Sequence, residues 1–161
     1  MMSSLLLIID LQDSFINSNT ERVLPKINML LNENKFDKVV FTRFINSPNS
    51  IWFTKLNYKG CMTEKSKKIQ IETRSNKVID KQIYSALGTE LKTYIEENDI
   101  SKIYLCGIDT ECCVLKTAFD LFENGYDVYV LKDYCACMQG LQRHNNALDI
   151  LKRTIGYDKI I

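Results

Sequence analysis

Six cysteines stand at positions 61, 106, 112, 113, 135 and 137, and one of them is placed for chemistry. Cys113 lies where an apolar run, Ile103-Tyr104-Leu105-Cys106, gives way through Gly107-Ile108-Asp109-Thr110-Glu111-Cys112 to a helical pattern from Val114. A thiol in the first turn of a helix meets unpaired backbone N–H groups and the positive end of the dipole, which favour thiolate over thiol. Lowering its pKa by about two units from a reference near 8.5 takes roughly 2.7 kcal/mol, within reach of a helix terminus plus a nearby cation. The expectation is therefore a Cys113 nucleophile with a lowered pKa and a cation beside it. The plain alternative is a small buried apolar residue, as most free cysteines are.

Two further polar residues close strand-like runs. Asp10 ends Leu5-Leu6-Leu7-Ile8-Ile9, and Lys81 follows Val78-Ile79-Asp80. In an open parallel α/β sheet the carboxyl ends of the strands share one edge, and ligands bind there. Singly, Asp10 reads as a polar strand end and Lys81 as a solvated lysine. Together they share an address with Cys113.

At these residues the chain resembles the isochorismatase-like cysteine hydrolases, a family that includes nicotinamidases, N-carbamoylsarcosine amidohydrolases and ureidoacrylate hydrolases. Asp10-Leu11-Gln12-Asp13-Ser14-Phe15 is similar to the family's D-x-Q-x-x-F opening. Lys81 with Tyr84-Ser85-Ala86-Leu87, and Gly107 to Val114 with Thr117-Ala118-Phe119-Asp120, follow in order at family-like spacing. The resemblance implies a triad of Asp10, Lys81 and Cys113. Cys113 would attack a carbonyl, and Asp10 would carry its proton to the leaving amine. The thioester route splits one hard amide cleavage into two easier steps. It further implies a cis peptide at Ile108-Asp109 and an oxyanion hole from the backbone N–H groups of Asp109 and Cys113. An acid at position 109 opposes negative charge there unless its side chain turns away and caps the helix with Thr110.

Metal-bearing nicotinamidases carry an Asp-x-His pair and further histidines between the second and third strands, and this segment has none here. The resemblance therefore implies no metal and no other cofactor. It points away from nicotinamide and toward another small amide, whether carbamoyl, ureido or carboxamide. Arg43, ending Phe41-Thr42-Arg43, is a candidate for a substrate carboxylate, since its planar fork suits one. Its alternative is a surface ion pair. Phe15, Trp52, Tyr84 and Cys112 are candidates for the substrate pocket. The single histidine, His144, reads as structural, with Leu148 and Leu151 on its helix face. Other readings are a non-catalytic binding or scaffold member of the same fold, a nicotinamidase, and a thiol redox protein using Cys112 and Cys113 or Cys135 and Cys137.

The elements that must position these residues alternate. A strand over Leu5 to Asp10 leads to a helix near Glu21 to Asn32 and a strand over Lys38 to Arg43. After a segment of little periodicity, positions 44–76, come a strand at Lys77 to Asp80 and a helix at Thr89 to Asn98. A strand at Lys102 to Cys106, a helix from Glu111 to Asn124, a strand at Asp127 to Leu131 and a last helix complete the chain. Such alternation predicts a three-layer α/β/α sandwich with a mainly parallel, Rossmann-like sheet of about six strands. One domain is expected over residues 1–161, and the unpatterned segment reads as a functional or lid-like loop.

Composition excludes several classes. A net charge of +1 with 45% hydrophobic and 25% charged residues is ordinary for a globular chain and offers no field for nucleic acid. No Gly-x-Gly-x-x-Gly follows the first strand, which argues against a nucleotide cofactor. The first apolar run is short, lacks a basic leader and ends at an acid, so neither a secretory signal nor a membrane span is expected, and a cytosolic location is. The cysteine spacings match no common zinc site, and reduced thiols are expected. Relatives assemble as dimers or tetramers, and the resemblance implies the same of this chain.

Overall fold

The computed structural model describes residues 3–161. Its five strands are β1 (Ser3–Ile9), β2 (Lys38–Phe44), β3 (Lys77–Lys81), β4 (Ile100–Ile108) and β5 (Asp127–Ala136), all parallel in the order β3-β2-β1-β4-β5. The helices are α1 (Val23–Asn32), α2 (Ile51–Leu56), α3 (Glu64–Lys67), α4 (Thr89–Glu97), α5 (Leu115–Glu123) and α6 (Leu141–Ile155). The chain steps outward from β1 to β3, then crosses back to β4 on the other flank. Right-handed crossovers place α1 on one face and α4 and α5 on the other. The strand order therefore reverses between β1 and β4, the place where such sheets open a crevice.

The sheet has five strands among the described residues, one fewer than the sequence expectation. Beyond β5, Ile160 makes a single parallel bridge to Val130. Leu5 to Ile9 are all fully buried, which is why β1 is apolar on both faces: it is a central strand covered on each side. In α1 the buried residues Val23, Ile27, Leu30 and Leu31 lie on one helical stripe. Pro25 sits in its first turn, where a missing N–H costs nothing.

Two local departures bear on the site. The helix expected from Glu111 begins instead as a π-helical turn over Thr110–Val114, and regular α5 starts at Leu115. Nor is the 44–76 segment unstructured. Asn46 is buried, and its amide donates to the carbonyls of Tyr58 and Gly60 at 2.9 and 3.0 Å. Ser50 caps α2 by accepting from Phe53 N, and Thr63 with Ser66 forms a capping box on α3. Helices of one or two turns leave no periodicity to read, and their caps and the Asn46 ties hold them instead. No described helix is long and apolar enough to cross a membrane.

Candidate active site

Three strand ends deliver the three candidate residues. Asp10 follows β1 with a left-handed φ of 48° and no exposure. Thr42 on the neighbouring β2 fixes it: the Asp10 N–H donates to Thr42 Oγ1 at 3.2 Å, and the Thr42 hydroxyl donates to Asp10 Oδ1 at 2.6 Å. Lys81 is the last residue of β3. Its Nζ lies 2.6 Å from Asp10 Oδ2 and donates to Ile83 O at 3.0 Å and to Cys113 Sγ at 3.5 Å. Asp10 Oδ2 touches that ammonium but has no aligned hydrogen bond of its own, so it keeps accepting capacity beside the Cys113 thiol. Gly107 lets β4 come this close. At φ 120°, a Cβ there would sit 2.1 Å from the carbonyl oxygen of Ile9. The following Ile108-Asp109 peptide is cis.

The charges differ from the expectation at one point. Burial pulls the Lys81 ammonium down, but Asp10 and Cys113 beside it outweigh burial and raise its pKa. Burial, and then the Asp10 carboxylate, push the Cys113 thiol well above its ordinary value, with Lys81 opposing. The lowered pKa expected of Cys113 is thus corrected. The thiol is only 7% exposed, and the one ammonium in reach is already matched by a carboxylate. A thiol facing a carboxylate can still attack if its proton passes to that carboxylate in the same step.

Above Cys113 opens a cavity of about 360 Å³. Phe15, Phe44, Trp52, Tyr58 and Tyr84 form most of its wall, with Leu56 and Met138 adding apolar surface. Asn57, Asp109, Cys112 and Cys113 supply the remaining lining. Phe15, Trp52, Tyr84 and Cys112, expected at a substrate pocket, all line it. Arg43 does not: its Nε and Nη2 donate to Asp80 Oδ1 and Oδ2 at 2.7 and 2.9 Å, so its fork is filled by the surface ion pair. Asp109 does not cap the helix either. Its Oδ1 accepts from Met138 N at 3.1 Å, which ties the nucleophile turn to the chain after β5. Burial raises its pKa, and bonds from Cys137 and Met138 oppose the rise.

Several lining and supporting residues were not foreseen. Thr42 and Phe44 end β2, and the strand-end reasoning that singled out Asp10 applies equally to them. Gln12 was visible in the opening motif without a role. Its side chain clasps the Phe44 backbone, accepting from Phe44 N at 2.7 Å and donating to Phe44 O at 2.9 Å and Lys67 O at 3.1 Å. Leu56, Asn57 and Met138 left no signal, because they come from segments without a period, and Tyr58 stood out only as an aromatic within the unpatterned 44–76 segment.

The remaining thiols are all free; Cys61, Cys106, Cys135 and Cys137 are buried. Burial first holds Cys106 well above its ordinary value and Cys135 at about 12. His144 is buried with Nδ1 2.9 Å from Thr110 Oγ1, so it supports the nucleophile turn from behind. No histidine lies between β2 and β3, and the side chains lining the cavity do not fit a histidine-held metal. Asp109, Glu111 and Cys137 do bring donor atoms within 4.8 Å of one another. Two of them are engaged, Glu111 by Arg143 at 3.3 Å and Asp109 by Met138 N.

Known proteins share this fold. The isochorismatase domain matches residues 4–157. Isochorismatase family protein 1A of Dictyostelium discoideum is 32% identical over 135 residues, covering 81% of this chain and 62% of its own length. The chain thus spans under two thirds of that relative. Among solved structures, the pyrazinamidase of Pyrococcus horikoshii in complex with zinc superposes with a TM-score of 0.86 at 24% identity, covering 99% of this chain and 98% of that one. The yeast nicotinamidase Pnc1p gives 0.83 at 21%, covering 98% and 99%. At such identities these two show a shared fold. Because the domain match runs over nearly the whole chain and the relative is 32% identical over the 135 residues aligned, the chain belongs to the isochorismatase family.

Proposed function

We propose that this chain is a cysteine hydrolase that cleaves a C–N bond of a small amide through a thioester on Cys113, without a metal. The observation that carries the reading is the buried chain Asp10–Lys81–Cys113, with links of 2.6 and 3.5 Å, at the floor of an apolar cavity. Solved relatives whose names are nicotinamidase and pyrazinamidase lend support to an amide as substrate.

In the proposed reaction Cys113 Sγ bonds to the carbonyl carbon while its proton passes to Asp10 Oδ2, and the backbone N–H groups of Asp109 and Cys113 hold the oxyanion. Asp10 returns the proton to the nitrogen as the C–N bond breaks, and ammonia or an amine leaves. Water then gives a proton to Asp10 and its oxygen to the thioester carbon. The acid departs, and Cys113 regains its proton. Lys81, 2.6 Å from Asp10 Oδ2, keeps that carboxyl oriented as it takes up and returns the proton. The thiol is protonated at rest, so proton transfer to Asp10 accompanies attack.

Ammonia release across a panel of small amides tests the reading. Cys113→Ala is expected to lose at least about a thousandfold in rate, and rapidly quenched wild type to carry an acyl mass on the Cys113 peptide. Turnover that survives in Cys113→Ala would sink the proposal.

A further inference from the structure

Five aromatic rings in the cavity form one continuous chain. Tyr58 lies parallel to Phe15 with centroids 6.4 Å apart, Phe15 meets Phe44 at 6.4 Å, Phe44 meets Trp52 edge-on at 5.8 Å, and Trp52 meets Tyr84 at 4.3 Å. Trp52 is held in place, its indole N–H donating to Gln82 O at 2.9 Å. The negative faces of such rings attract cations, most strongly where water is displaced.

The charges around the chain point the same way. Among the described residues no lysine, arginine or histidine lines the cavity, and one carboxylate, Asp109, does. The ammonium below, Lys81, is taken up by Asp10, Ile83 O and Cys113 Sγ and stands 5.4 Å over the Phe44 ring, which leaves Phe15, Trp52, Tyr58 and Tyr84 as the rings offered to a ligand cation. Two further cations near the cavity are paired, Arg43 with Asp80 and Arg143 with Glu111. A carboxylate-bearing amide would enter a low-dielectric space with no counter-charge and an acid in its wall. A cationic amide would meet ring faces and the Asp109 carboxylate together.

Resting on the hydrolase reading, we propose that the cavity selects small amides carrying an alkylammonium group remote from the scissile carbonyl, with the aromatic chain and Asp109 as its specificity determinants. This reverses the charge that Arg43 suggested from the sequence. It also gives the acid beside the nucleophile turn a use: it faces the ligand's cation.

Trp52 is the single tryptophan, so its emission reads occupancy without turnover. The probes are choline, its neutral isostere 3,3-dimethylbutan-1-ol and the anion 3,3-dimethylbutanoate. Choline is expected to bind at least about tenfold tighter than the alcohol and the anion weakest of the three. In Asp109→Asn the choline preference should fall by at least about threefold, the ring faces keeping the remainder. Should that variant fail to fold by circular dichroism, the wild-type choline preference is expected to shrink from low to high salt. An alcohol bound as tightly as choline, a preference undiminished in Asp109→Asn, or one indifferent to salt would each overturn the proposal. Ammonia release from 4-(trimethylammonio)butanamide and from its neutral isostere 5,5-dimethylhexanamide separates the two readings. Cys113-dependent release without a cation preference sinks this inference alone. Choline-selective binding with neither amide hydrolysed sinks the hydrolase reading alone.

Discussion

Asp10 works only if its carboxylate is held, and the residue that holds it is Thr42. That hydroxyl both accepts from the Asp10 N–H and donates to Oδ1, and both residues are buried. Thr42→Val keeps the shape and removes both partners, leaving two buried polar groups unsatisfied at a cost of about 1–3 kcal/mol. The expected outcome is a lower urea midpoint together with a fall of roughly tenfold or more in kcat, with KM little changed. A Thr42→Val protein as active as wild type would show that Asp10 is positioned by Lys81 alone. Of the residues at this scale, Asp10, Lys81 and Cys113 were legible because charged or nucleophilic side chains stand out at strand ends. Thr42 was not, since a threonine in a strand is ordinary until its neighbour is known.

Two elements set how close these residues come. At the end of β4, Gly107 is required twice over, by its φ of 120° and by the 2.1 Å that a Cβ would leave to Ile9 O. Gly107→Ala is expected to destabilise by about 3 kcal/mol or more, from backbone strain plus the forced separation of β1 and β4. A thermal melt reads the loss, and an unchanged midpoint would mean that the strands part without penalty. The segment between β2 and β3 is organised around the buried Asn46, whose Oδ1 accepts from Ser47 N and the Ser50 hydroxyl at 2.9 and 2.5 Å. Asn46→Ala should release α2 and the turn carrying Tyr58. The expected signs are a red-shifted Trp52 emission and a KM raised more than kcat is lowered. Wild-type emission and KM in this variant would contradict that role.

Across the whole molecule the buried thiols make stability depend on pH. Cys135 is held at about 12 and Cys106 is also raised, against 9.0 for an exposed thiol. Between 9.0 and the folded value the native state keeps protons that the unfolded chain releases. Stability is therefore fully present below 9.0 and falls as pH rises, by about 1.4 kcal/mol per unit for each such thiol. His144 acts at the other end. Burial, then Arg22, lowers its pKa from 6.5, so its contribution is present above 6.5 and lost as pH falls through the lower folded value. Urea midpoints should be highest between these limits. They should decline on the alkaline side less steeply in Cys135→Ala than in wild type. A midpoint flat up to pH values well above 9.0 would refute this.

The sequence by itself determined the alternation of strands and helices, the parallel sheet and the three residues at strand ends. Each of these rests on local periodicity or on a side chain whose chemistry is visible in isolation. Tertiary structure alone decided the rest. It turned Cys113 from an expected thiolate into a protonated thiol, because burial and the nearness of Asp10 outweigh a cation that Asp10 has already claimed. It sent the Arg43 fork to Asp80 on the adjacent strand, a pairing set by the register Arg43↔Asp80. It also drew Phe15, Phe44, Trp52, Tyr58 and Tyr84 into one wall from segments up to about seventy residues apart. Pairings and electrostatic fields of this kind depend on distances through space, and the order of residues along a chain does not contain them.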